Sequence, residues 1–407
     1  MLAAPSAPAA PSVDGPASTR TVPCRRAGPT GDGPLSVLHL TGSTVDAFHA
    51  NLSCLYHEAV VQPRGVTHAQ LHHAPDGRWS YRAPRDNGLR AIDWSHVAHA
   101  AREHDLVVPH MFCPTGMTVM RGLFEELLGV PVVGPPQRCT TLMLGKWDAQ
   151  AIAQAAGVRC PPAVRLRTAN ATVPFAPPFI VKPDGADNSL GLSLVRHADD
   201  ARVALERALA QDDTVIAQHY VAGREFRVGV LEWDGPDAVD GLRVLPALEY
   251  HVSPERPIRT LRDKLDVQDD DTIEPTRWSA PTIGSSCPAR MDEALAAQLA
   301  EAVRTLHRAF GARDYSLYDF RVDAQGRAWL LEPCTFWSFS TRSILSFMVE
   351  ADAQLDLEEV VLRLWRRAAA RRHGAGDHPV AQVSRAARAA EREQRILDEQ
   401  NRPSTFE

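Results

Sequence analysis

Residues 179–195 read FIVKPDGADNSLGLSLV. The apolar run ending at Lys182 predicts a strand, and LSLV predicts its neighbour. Between them lies a loop of small residues, Gly185 to Gly191. A lysine at a strand end, directly before backbone N–H groups that glycine leaves approachable, makes a phosphate cradle. A second stretch, DYSLYDFRVDAQGRAWLLEP at 314–333, predicts a hairpin turning at AQGR, with Asp319 and Glu332 on its two arms. Paired hard carboxylates on adjacent strands are what Mg²⁺ requires, with nucleotide phosphates completing its octahedron. Lys146 heads a predicted helix before the cradle, and Glu225 follows Gln218 between cradle and hairpin. Each feature alone is weak. Strand-end lysines usually snorkel to solvent, hairpin carboxylates are usually solvated, and glycine loops are common turns. Glu332 is less ordinary: it follows Trp-Leu-Leu and is partly buried there unless paired. Together and in this order, the four features are hard to explain as structure alone.

Outward from these stretches, strands alternate with helices. LSVLHLTG from Leu35 and DLVVPHMF from Asp105 read as strands flanking a helical AIDWSHVAHAAREH. VMRGLFEELLG reads as an amphipathic helix ended by Gly129, and VPVVG as a further short strand. This alternation predicts an α/β fold with a parallel sheet covered by helices. Past Pro135–Pro136, LGKWDAQAIAQAAG reads as a helix ended by Gly157. After the cradle come a helix with an acidic start (ADDARVALERALA), strands TVIAQHYV and REFRVGVLEWDG, and RVLPALEYHV as one strand. Residues 253–288 are rich in Pro, Asp, Thr and Ser; a connection this long inside a compact domain is a functional lid or a disordered segment. The helix DEALAAQLAEAVRTLHRAFG leads into the hairpin.

Composition bounds the rest. A chain of 407 residues suits two or three modules. A net charge of −6 without a basic stripe argues against nucleic acid as a partner. No apolar run approaches the ~20 residues of a membrane span. Seven scattered cysteines, odd in number and without a CxxC pair, argue against a disulfide framework or zinc site and predict a reducing, cytoplasmic setting. Residues 1–34, rich in Pro, Ala, Gly and Ser and lacking a signal-peptide core, predict a disordered leader, and 368–407 a charged helical or frayed tail.

In this order the motifs resemble the ATP-grasp enzymes of the D-alanine–D-alanine ligase type, from about Leu35 to Trp365 and most strongly from Leu144 onward. The resemblance implies an ATP-grasp fold. Residues 35–140 would form a Rossmann-like parallel-sheet substrate domain. Residues 141–215 would be a central subdomain with the phosphate flap, and 216–367 a C-terminal subdomain with the lid and metal hairpin. Lys146 and Lys182 match the lysines that hold the α- and β-phosphates of ATP, and Ser189 and Gly191 the flap above them. Gln218, His219, Tyr220 and Val221 match the hinge that reads adenine, largely through backbone groups, and Glu225 the ribose-binding acid. Lys264 matches a lid lysine reaching the transferred phosphoryl group. Asp319 and Glu332 match ligands of Mg²⁺, with Mn²⁺ an alternative ion. Ser343, with Arg342 beside it, matches a clamp on a substrate carboxylate.

Two positions depart from the pattern. Cys334 stands where a metal-binding asparagine is expected, and a thiol is a poor Mg²⁺ ligand. Leu317 stands where an arginine steadies the tetrahedral intermediate; Arg321, on the same strand face by period-2 geometry, is the first replacement, and Arg259, Arg262 and Arg342 are other candidates. The implied activity is ADP-forming ligation of a carboxylate to an amine through an acyl phosphate. The favoured substrates are two amino acids, with glutamate as a carboxylate donor, in a specialised pathway. ADNSLG, GREFRVGV and PIRTLRDKL are also similar to ligases that add an amino acid to mycosporine-glycine, which is the runner-up reading. An ATP-grasp small-molecule kinase and a nucleotide-binding protein without turnover are the rivals. The family is often dimeric. A Rossmann dehydrogenase is disfavoured, because no GxGxxG follows the first strand.

Overall fold

The computed structural model describes residues 34–371 apart from 187–188, 236, 261–262, 264–283 and 336. Three sheets organise the chain. The first contains β1 (Leu35–Gly42), β2 (Val66–His73), β3 (Trp79–Arg82), β4 (Arg90–Ile92) and β5 (Leu106–Pro109), in the order β4-β3-β2-β1-β5. Only its β2-β1-β5 part is parallel; β3 and β4 add on antiparallel. The expected parallel sheet is therefore a mixed one. The turn Ala74–Arg78 sends β2 straight back as a hairpin, closed by Ala74 N–H to the Arg78 carbonyl at 2.9 Å, so no crossover helix is needed. VPVVG forms a single parallel bridge, Val107 to Val132, rather than a strand.

A four-stranded antiparallel sheet follows: β6 (Ala163–Leu166), β7 (Phe179–Pro183), β8 (Ser193–Val195) and β9 (Val215–His219), ordered β6-β9-β7-β8. The third sheet holds β10 (Arg224–Glu232), β11 (Leu242–Val244), β12 (Leu248–Tyr250), β13 (Ser285–Ser286), β14 (Tyr315–Val322) and β15 (Ala328–Cys334), with β10, β14 and β15 at its centre. RVLPALEYHV makes two strands, β11 and β12, because Pro246 between them has no N–H for the ladder.

Every residue of β14 is buried, so both its faces are covered. Ser316 and Tyr318 face the helix Glu293–Ala309 and its C-terminal cap: His307 Nδ1 lies 2.7 Å from Ser316 Oγ, and Phe310 stacks on Tyr318. Asp319 and Arg321, two apart, share the opposite face and look into a cleft.

The segment carrying the first sheet is tied to the third sheet at two places. Val61 N–H donates to the Phe339 carbonyl and Thr341 N–H to the Ala59 carbonyl, both at 2.8 Å. Asp314, fully buried at φ +64°, accepts from Gly134 N–H and from both Arg371 Nη atoms. Behind the first tie lies a histidine cluster. His39 on β1 contacts His110 Nε2 and His68 Nδ1, each at 2.9 Å, and its ring packs edge-on against His57 and Trp365. Burial lowers the His57 pKa to about 4 and holds His39 and His110 well below the ordinary range, so the cluster is neutral. Among the described residues, no helix is long and apolar enough to cross a membrane.

Candidate active site

A cleft opens between the four-stranded and six-stranded sheets. Strands β7 and β9 supply one wall, β10, β14 and β15 the other, and the segment around Ile258–Arg259 reaches across. At one end three expected residues converge. Glu332 Oε2 lies 3.9 Å from Lys146 Nζ and 4.0 Å from Lys182 Nζ. Lys146, at the first turn of the helix Lys146–Ala155, also donates to the carbonyls of Asp184 and Ala186 in the loop after β7. Trp147 N–H bonds the Asp184 side chain, so the start of that helix and the loop are stitched together. Lys182 donates to the Leu331 carbonyl at 3.3 Å. That carbonyl is available because Leu331 is the extra residue of a bulge: the register steps from Asp319–Glu332 to Phe320–Leu330. Burial lowers the Lys182 pKa below its ordinary value, with Glu332 pulling the other way.

The flap carries Ser189 at φ +63° and Gly191 at φ +70°. A Cβ on Gly191 would sit 2.8 Å from the Pro183 side chain, so only glycine fits without a shift. At the hinge, Gln218 is buried and anchored through Nε2 on Gln150 Oε1 at 3.0 Å, the amide orientation that keeps its oxygen as an acceptor. The N–H groups of His219 and Tyr220 donate to Pro162 and Pro178 carbonyls. They are committed to the chain, and Val221 is the first hinge residue past these anchors.

Along the third sheet, opposite charges alternate: Arg227, Asp319, Arg259, Glu225, Arg321. Arg227 stands opposite Asp319 in register and clamps both its oxygens, Nε–Oδ1 at 2.5 Å and Nη2–Oδ2 at 2.6 Å. Burial works against the charge on Arg227, yet the adjacent Asp319 holds its pKa well above the ordinary value. Arg259 bonds Glu225, lies 3.3 Å from Asp319 Oδ2, and stacks 3.6 Å over the Tyr250 ring. Glu225, expected to meet a ribose, is thus held by Arg259 and by Arg321, the latter at 2.7 Å. Arg321 also donates to the carbonyls of Val221, Gly223 and Pro257. Those bonds tie Arg321 to the hinge rather than to an acyl-transfer position.

Ser343 is buried and caps the helix Ile344–Glu350: it accepts from Ser346 N–H at 3.2 Å and donates to the Ser338 carbonyl at 2.7 Å. Arg342 beside it is exposed. Arg262 and Lys264 lie outside the described residues. His110 belongs to the histidine cluster beside the first sheet, and His251 is an exposed partner of Ser286. Arg227 is the site residue that sequence reasoning missed. Its signal was present, because in REFRV the positions of Glu225 and Arg227 share one strand face.

A divalent cation finds a partial fit. Glu332, 28% exposed beside two lysines, can offer a carboxylate to an ion that arrives with phosphates. Asp319 offers none while Arg227 occupies both its oxygens, and Cys334 adds only a soft sulfur. Among the described residues no group of three His, Cys, Asp or Glu side chains is arranged to hold a metal.

The family described as D-ala D-ala ligase C-terminus matches residues 164–253. The chain is 25% identical over 249 residues to the D-alanine–D-alanine ligase of Geobacter sulfurreducens, covering 60% of this chain and 71% of that protein. It superposes on the VanG D-Ala:D-Ser ligase of Enterococcus faecalis with a TM-score of 0.63 at 20% identity, covering 81% of this chain and 98% of that one. The D-alanine–D-alanine ligase of Coxiella burnetii gives 0.63 at 16% identity, with coverages of 89% and 99%. The structural likeness shows the ATP-grasp fold. With the sequence likeness, the enzyme class is an ADP-forming ATP-grasp ligase.

Proposed function

We propose that this enzyme joins two amino acids, with a glutamate carboxylate as one donor, in the biosynthesis of a small specialised peptide in the cytoplasm. The observation that carries the reading is the convergence of Lys146 and Lys182 on Glu332 at the end of a cleft bounded by the hinge Gln218–Val221. Two ammonium groups this close to one carboxylate form a seat for polyphosphate, whose negative charge outweighs that of Glu332.

In this reading the adenine lies against the hinge, with the Gln218 oxygen accepting from its amino group. Lys146 and Lys182 neutralise the phosphates, and Ser189 and Gly191 cover them. A divalent cation, Mg²⁺ by the hardness of the available oxygen, would be held by Glu332 and would neutralise further phosphate charge. The carboxylate of the first amino acid attacks the γ-phosphorus, forming an acyl phosphate as ADP leaves. The amine of the second attacks the carbonyl carbon, phosphate departs, and the amine proton passes to solvent. Buried positive charge from Arg259, beside the cleft, favours the oxyanion of that step. The loop 338–343 lies next to the end of the first domain's first helix, where the second amino acid would sit with Arg342 near its carboxylate.

Product analysis with pooled amino acids tests this. The protein is incubated with ATP and Mg²⁺, with single amino acids and with pairs, and half the pools contain glutamate. ADP and phosphate released only with pairs, with a dipeptide mass in that pool, is the expected result. A phosphorylated single substrate would make the protein a kinase. Turnover confined to mycosporine-glycine plus an amino acid would select the other ligase reading.

A further inference from the structure

Resting on the proposed nucleotide seat, we propose that Arg227 is a built-in counterion that withdraws Asp319 from metal binding, so that the site takes a single divalent cation with its nucleotide, through Glu332. Three observations carry this. The clamp is complete: two parallel N–H groups meet two carboxylate oxygens across one rung of β10 and β14. It is buried, with side-chain exposures of 13% and 4%, so water does not compete for Asp319. Arg259 adds a second guanidinium at 3.3 Å, leaving Asp319 surrounded by positive charge that a further dication would have to displace.

Cys334 fits the same arrangement. It stands at the end of β15, opposite Leu317 and just past Glu332, and supplies no hard donor to bridge a second ion. The fixed charges also match the task. Lys146, Lys182, Arg227, Arg259 and Arg321 against Glu225, Asp319 and Glu332 leave a net +2 before any metal binds. A guanidinium at the strand centre thus occupies the electrostatic place of an ion, without the ion's open coordination positions.

Manganese counting tests the inference independently of turnover. Binding of the non-hydrolysable ATP analogue AMP-PNP to the full chain is measured first, by titration calorimetry. Mn²⁺ is then titrated into the AMP-PNP complex, and free Mn²⁺ is followed by its paramagnetic resonance signal. One Mn²⁺ per chain is expected. Glu332→Gln weakens that ion by about tenfold or more, as loss of a charged ligand requires. Asp319→Asn changes neither its count nor its affinity beyond about twofold. Arg227→Met raises the count to two. Because stripping a buried carboxylate of its cation risks unfolding, the Glu332 and Asp319 arms decide without it. Two Mn²⁺ in the unmodified protein, loss of Mn²⁺ in Asp319→Asn, or a count of one in folded Arg227→Met would each overturn the inference alone. Failure of AMP-PNP to bind at all would overturn the nucleotide seat and this inference with it.

Discussion

Acid should loosen this protein through the histidine cluster. His57 has a folded pKa of about 4 against 6.5 for the free side chain. The unfolded chain therefore binds the proton that the folded chain refuses, and stability falls as pH drops from about 6.5 toward 4. Above that window the contribution is complete; below it the loss levels off. Over the full shift it amounts to ~3.4 kcal/mol, and at about pH 5.5 roughly 1.4 kcal/mol has gone. His39 and His110, which face His57 and one another, add in the same direction, as do the partly exposed His68 and His72. Arg82 also disfavours charge on His57 and His39. Glu232 and Asp323, both held at about 2, take effect only in stronger acid. The assay is urea unfolding followed by tryptophan fluorescence at about pH 7.5 and 5.5, on the unmodified chain and on His57→Gln. Glutamine fills similar space and cannot titrate, so the difference between the two pH values should shrink by ~1.4 kcal/mol in the variant. Equal pH dependence in both proteins would refute the reasoning.

Other outcomes are equally direct. Lys182→Met should weaken AMP-PNP binding by about tenfold to a hundredfold, the worth of a charge-assisted contact, while the melting temperature holds, because a buried ammonium is itself costly; calorimetry and a thermal melt read the two. Asp314→Ala leaves Arg371 and Gly134 N–H without their acceptor and should cost about 3–5 kcal/mol in chemical denaturation, whereas Asp314→Asn, which tolerates the positive φ, should cost less. Burial pushes the thiols of Cys139 and Cys160 up to about 12 and Cys287 to about 11, so these three should resist DTNB at about pH 8 in the folded protein and react in urea; mass mapping of an early adduct to any of them would contradict this. Gly191→Ala should disturb the flap enough to lower AMP-PNP affinity, since its Cβ would meet Pro183; unchanged affinity would show that the flap gives way.

The parts of the fold that could be read from the chain were those where one residue type has one physical use. Lys182 before a glycine loop, Asp319 and Glu332 across a turn, and Gly157 behind a helix are local signals, and they landed on β7, on the β14–β15 pair and on a positive-φ helix end. The first domain was less legible. VTHAQLHH carries five polar residues in a strand of eight, and β3 and β4 are only four and three residues long, so no alternation announced the antiparallel extension. The histidine cluster joins residues 29 and 71 positions apart, a proximity that only the sheet order creates. At the site, the charged residues were visible but their partners were not. Arg321 shares the face of Asp319, yet the hinge carbonyls claim its donors. Arg227 shares a strand face with Glu225 in REFRV, but only its burial against Asp319 makes it that carboxylate's neutraliser.

The pair of hydrogen bonds joining Phe339 and Thr341 to Val61 and Ala59 bears on how such proteins can be recombined. A chimera cut near residue 140 would treat the front third of the chain as a cassette that selects substrates. The backbone contacts cross that cut: residues 338–343, some 200 positions downstream, are hydrogen-bonded to the front segment at Ala59 and Val61. A transplanted front domain arriving without its own copy of this loop would meet a foreign edge. Designers exchanging specificity should therefore move the two pieces together, as a discontinuous unit, and keep the three-strand centre β10-β14-β15 as the chassis.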